Sequence, residues 1–209
     1  VGAGSEKAAG FIANYANIEI IKDGRYSPTN ITGKLSSEVE IATNNAKQAV
    51  KQFIAEGERA YEAFELDVAL TRFNNAIEIY NKEVTLMNDV SDLVHIYMSK
   101  AAIFFLMGDS DSGEQAMAKA YSLDQTITPN PSLFNPTMRK KFSRVIAEIN
   151  KKPRGSISIA ANPSYAMVYI DGKFQGVTPC AIDSLLVGEH YVQVKKPGFI
   201  SWGKRITVN

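Results

Sequence analysis

The chain is poor in the residue types on which most recognisable chemistry depends. A single cysteine, Cys180, excludes an internal disulfide and a thiolate zinc site. Two histidines, His95 and His190, and no Gly-x-Ser-x-Gly leave no nucleophile with an evident base to activate it. Neither sign of charge is in excess: 23 Lys and Arg face 22 Asp and Glu, so no global basic field gathers nucleic acid or anionic lipid. No apolar run approaches the ~18 residues that cross a bilayer, and the longest, Ala101 to Met107, reads as a helix face. The chain opens Val-Gly-Ala-Gly without an initiator Met. The expectation is a processed or truncated product whose targeting signal has been removed. What is present is a globular composition, 45% hydrophobic and 22% charged, sufficient for one or two domains.

Two periodicities divide it. From 36 to 150 the spacing is helical. Ser37-Glu38-Val39-Glu40 reads as a capping box, followed by Val39, Thr43, Ala46, Val50, Phe53, Gly57, Ala60 and Phe64 at three- and four-residue intervals. A second helix is predicted from Asp67 as N-cap, a third from Ser91 to Met107 stopped by Gly108, and a fourth from Gly113 to Leu123. Asn135-Pro136 opens a fifth, with proline where its missing N–H costs nothing.

From Arg154 the period is two. Ile157 and Ile159, Val192 and Val194, and Ile206 and Val208 alternate with polar residues, which predicts short strands with one apolar face. The stretch "PSYAMVYIDGKFQGVTP", residues 163 to 179, is dense in turn chemistry. Asp171-Gly172 suits a hairpin turn, and Gly176 a second reversal. Further turns are read at Val187-Gly188-Glu189, Pro197-Gly198 and Trp202-Gly203. The basic "KKPRG", residues 151 to 155, is a linker by composition. The segment 1–35 is read as part of something larger. Ser5 to Ala16 is compatible with a helix, and "NIEIIKDGRYSP" with a strand, an Asp-Gly turn and an edge.

Motifs for chemistry fail on inspection. Asp109 to Glu114 imitates a calcium loop, but its glycine comes one place early and Ala120 stands where the closing Glu belongs. "GAGSEKAAG" lacks both the third glycine and a preceding strand of a dinucleotide loop. Asn30-Ile31-Thr32 is only a formal glycosylation acceptor. Cys180 reads as a small buried hydrophobe, and both histidines as structural or surface residues. The expectation is no catalytic residue, no cofactor and no metal.

Two resemblances emerge from these residues. Phe53, Gly57, Ala60, Tyr61, Ala69, Phe73 and Ala76 fall at the spacing of a tetratricopeptide repeat. Tyr97, Ala101, Phe104, Met117, Ala120 and Leu123 resemble a second, weaker unit, with about ten extra residues (Asn81 to Val90) between them. The closing prolines are replaced by Asn81 and Gln125. The β half resembles a PEGA domain: "SISI", then Pro163-Ser164-Tyr165-Ala166, "MVYIDGKFQGVTP" and "LLVGEHYVQVKKPGF" follow in the family's order. Tyr165 stands where that family has glycine, and a positive φ is not expected there.

The resemblances imply a multidomain α plus β chain: segment 1–35, a helical-repeat domain 36–150, a linker 151–155 and an antiparallel β-sandwich 156–209. They imply a concave helical groove presenting Ile54, Glu58 and Tyr61 from one unit and Met98, Ala102 and Phe105 from the next. They further imply a non-enzymatic adaptor or scaffold, periplasmic or at the cell surface, that binds an envelope or surface protein and assembles through the PEGA-like part. The alternative is a carbohydrate- or cell-wall-binding module, its sugars stacked on Phe174, Phe199 and Trp202.

Overall fold

The helices follow from local sequence. The computed structural model describes residues 17–20, 24–25, 34–197 and 199–208. The Ser5–Ala16 helix, the "GAGSEKAAG" loop, the Asn30 acceptor and Gly198 of the Pro197-Gly198 turn lie outside the described residues. Among the described residues there are five α-helices: α1 (Lys34–Glu62), α2 (Leu66–Lys82), α3 (Ser91–Leu106), α4 (Ser110–Leu123) and α5 (Pro136–Lys151). The Asn135 side chain accepts from the Met138 amide at 3.0 Å, with Pro136 at the first helical position. Gly108, at φ +82°, supplies the left-handed residue that ends α3. Three starts differ from the expectation. Helix α1 begins at Lys34, so Ser37 sits inside it rather than capping it. Asp67 lies in the first turn of α2, where its carboxylate meets the positive end of the helix, and Glu65 precedes that helix. The Asp109 carboxylate caps α4 by accepting from the Ser112 amide at 3.0 Å, which starts that helix at Ser110 rather than Gly113. The false calcium loop is this cap.

Small residues let paired helices close. A Cβ at Gly57 of α1 would lie 2.7 Å from the Phe73 ring of α2. At Gly113 of α4 it would lie 2.8 Å from the Phe105 ring of α3. Phe73 and Ala76 are fully buried between helices, with Leu93, Ile96 and Tyr97 in the same cluster.

The strands form two antiparallel sheets. Strands β1 (Asn17–Ile20), β2 (Gly24–Arg25), β3 (Gly155–Asn162) and β6 (Cys180–Leu185) make one, in the order β2-β1-β3-β6. Strands β4 (Met167–Ile170), β5 (Lys173–Val177), β7 (Gly188–Lys195) and β8 (Trp202–Val208) make the other, in the order β5-β4-β7-β8. The strand and edge read in "NIEIIKDGR" are β1 and β2, and β1 pairs with β3 from Asn17 against Asn162 to Ile20 against Ile159. Ile157, Ile159 and Ile182 of one sheet share an apolar cluster with Val168, Val192, Val194 and Ile206 of the other. Asp171 and Gly172, at φ +50° and +73°, make the β4–β5 hairpin turn with both central residues left-handed.

Two details depart from the sequence reading. Tyr165 does adopt a positive φ, +62°. Its amide donates to the Thr178 carbonyl at 2.8 Å and its side chain is 77% exposed, so the turn is held by backbone while the ring meets no obstacle. Strand β7 does not alternate: His190, Tyr191, Val192, Gln193 and Val194 are all buried. The face expected to meet water is covered by the helical layer, and Tyr191 belongs to the helical core cluster.

Two outcomes are expected. Phe73→Ala should lower unfolding free energy by about 3–5 kcal/mol in denaturant melts, the usual result for a fully buried phenylalanine. Trypsin should nick the exposed 151–154 stretch, yet the two pieces should still elute together in gel filtration, because Tyr191 and Gln193 are buried under the helices. Separate elution would show that this packing is weak.

Candidate functional site

Three places carry side chains with something to do. The first is the helical face. Ile54, Glu58 and Tyr61 lie at i, i+4 and i+7 on α1, and the His95 Nε2 of α3 donates to Glu58 Oε1 at 2.9 Å. That bond reaches from the first helix of one pair to the first helix of the other. Ile54, Tyr61 and Met98 are half-buried there. Two residues expected on this face lie elsewhere. Ala102 is buried, and Phe105 packs on Gly113 of α4, with Lys141 Nζ 5.9 Å from its ring centre. The helical period that marks these positions does not say which of two neighbouring helices each one faces.

The second place is the junction between helices and sheet. A short 3-10 turn, Val84–Leu86, follows α2. The Gln193 Nε2 donates to the Val84 carbonyl at 2.6 Å and the Met87 carbonyl at 2.8 Å. Tyr191 Oη donates to Asn81 Oδ1 at 2.7 Å. Beside them, His190 is buried with both ring nitrogens against acceptors: Asp171 Oδ2 at 2.5 Å from Nδ1 and the Leu186 carbonyl at 2.8 Å from Nε2. Asp171 Oδ1 accepts from the Tyr191 amide at 2.8 Å. A ring flanked by a carboxylate and a carbonyl donates from both nitrogens, which is the imidazolium form. Burial works against that charge, but the bonds to Asp171 and Leu186 outweigh it, and the His190 pKa is raised above 6.5. His190 is thus buried with both ring nitrogens bonded within the fold, while His95 is an exposed residue tied to Glu58.

The third place was not legible in the sequence. A cleft of about 590 Å³ opens between α4, the end of α5 and the β7–β8 pair. Leu123, Ile149, Val187 and Val208 contribute apolar surface, and Tyr97, Lys119, Lys152 and Glu189 polar groups. Burial pushes the Tyr97 phenol up to about 12, so it stays protonated. Glu189 is held by Arg205 at 2.7 Å and Lys119 at 3.4 Å.

The β-half aromatics do not act together. Trp202 is 7% exposed and packs in the core of the two sheets, so its indole is not available to a sugar. Its position opens β8 on the inward parity shared with Ile206 and Val208. Phe174 is exposed, edge-on to Tyr169 at 5.6 Å between ring centres, and Phe199 is half-buried. Cys180 is half-buried rather than buried, and burial pushes its thiol up, away from reactivity. Among the described residues no group of three or more His, Cys, Asp or Glu is placed to hold a metal ion. No helix among them is long and apolar enough to cross a membrane.

Residues 154–209 match the PEGA domain family. The match covers all of β3 to β8 and excludes β1 and β2, which extend one of its sheets. No curated protein and no solved structure matches the chain.

The His190 geometry has a pH consequence. A histidine whose folded pKa is raised contributes stability that is present in full below pH 6.5 and is lost as pH rises through the folded value. The melting temperature should therefore fall on the alkaline side of 6.5, and His190→Gln should remove that part of the slope while lowering stability at acid pH. An unchanged slope in the variant would show that another group titrates.

Proposed function

We propose that the chain is a non-enzymatic envelope adaptor whose divergent tetratricopeptide-like helices hold a protein partner, while the PEGA-type β-sandwich attaches or assembles it. The observation that carries this reading is the bond between Glu58 and His95, which joins α1 and α3 into one face bearing Ile54, Tyr61 and Met98. A half-exposed aromatic and a methionine around a polar pair match the composition of protein interfaces. The close approaches at Gly57 and Gly113 support the repeat reading, although glycine and aromatic exchange helices between the two pairs. PEGA domains are often found in extracellular or periplasmic proteins, which supports that location. Glycan binding is the weaker reading, since burial of Trp202 leaves it only Phe174 and Phe199.

Tyr61→Ala tests the face. Its melting temperature should fall far less than that of Phe73→Ala, while cross-linked recovery of the native envelope partner drops, as on truncation of an aromatic anchor. If Tyr61→Ala unfolds as readily as Phe73→Ala, or recovers the partner undiminished, the face is misassigned.

A further inference from the structure

The cleft between the layers has the features of a peptide site. Its apolar surface comes from Leu123, Ile149, Val187 and Val208. Its charge is unbalanced. Glu189 is already matched by Arg205 and Lys119, while Lys152, at the opposite wall, has no ion-pair partner among the described residues. The excess is positive, so the complementary ligand carries a carboxylate. The shape is elongated: a second cleft of about 380 Å³ continues along α4 and α5, sharing Gln115, Ala118, Ile149 and Lys152 with the first. The carboxylates of that extension bring no unmatched charge at Glu114, bound by Lys141 and Arg144, or at Glu148, bound by Lys151; Asp111 stands at its far end.

Backbone adds to this. Strand β8 is the edge of its sheet, so alternate amides and carbonyls along it face away from β7. At its start Gly203 lies against Val84 and Thr85, which occupy that end. At its finish Thr207 and Val208 open into the cleft. An extended chain meets unpaired backbone there, a compact small molecule does not.

We propose that this trench binds an extended peptide segment of a protein partner in which an acidic residue neighbours a bulky aliphatic one. The aliphatic side chain sits between Leu123, Ile149 and Val187, and the carboxylate lies against Lys152. This site goes beyond the helical face and shares no residue with it, so either can fail alone.

The test uses a random heptapeptide library displayed on phage and panned over the intact chain. Recovered sequences are synthesised and titrated by fluorescence anisotropy. The expected peptides carry Asp or Glu beside Val, Ile or Leu, and their binding weakens as salt rises. Lys152→Glu, an exposed change, should weaken them about fivefold or more, with an unaltered melting temperature. Ala118→Trp, which fills the shared wall, should abolish binding; if it destabilises the fold, Lys152→Glu decides alone. Tyr61→Ala should bind them as the wild type does. Recovery of no binder, recovery of basic or purely aromatic sequences, or affinity unchanged by Lys152→Glu overturns the proposal.

Discussion

The buried amide of Gln193 sets how the two layers meet. Its two N–H groups are taken by the Val84 and Met87 carbonyls, at the only orientation that avoids oxygen facing oxygen. The cost is a buried Oε1 without a partner, about 1–3 kcal/mol for such a group. Around this point there is no slack. A Cβ at Gly203 would lie 2.9 Å from Val84, and one at Gly172 would lie 2.5 Å from the Asp89 backbone. The turn after α2 is thereby seated on the sheet in one register. Lys173 of the hairpin reaches Asp124 at 3.1 Å, so the end of α4 is tied to the same hairpin. The mouth of the cleft is a product of that seating rather than of any one helix.

How much of this was legible depends on the range of the forces involved. The Asn135-Pro136 start, the Gly108 stop and the Asp171-Gly172 turn were readable because each is settled within four residues. Gly57 against Phe73 was readable because helical spacing brings small and large residues into phase. Burial of Gln193 was not, since its partners lie more than a hundred residues away. A signal did exist in "HYVQV": Tyr191 sits on the parity assigned to water, and bulky residues at both parities mark a strand covered on both faces. Trp202 and Phe105 were misplaced for a related reason. Trp202 was read as exposed because it lies near a turn, and Phe105 from its helical repeat position, but in both cases whether the ring turns inward is decided by the neighbour it meets.

Nor does either half alone define the cleft. The PEGA-matched residues contribute Val187, Glu189 and Val208, and the helices contribute Leu123, Lys119 and Ile149. Anything seated in this cleft would therefore touch both the PEGA-matched strands and the helical layer. The same reasoning explains why matching the module says little about what is bound.

The pairing of β1 with β3 has a consequence for how the molecule comes to exist. Asn17 lies against Asn162, so the described helices are all an insertion between neighbouring strands of one sheet. During vectorial synthesis β1 is made before the described helical layer, and its partner β3 appears only after that layer is complete. Contacts of that sequence separation are slow to close. Until they do, β1 carries an unsatisfied edge, and its exposure to misassociation lasts as long as the helical layer takes to be made.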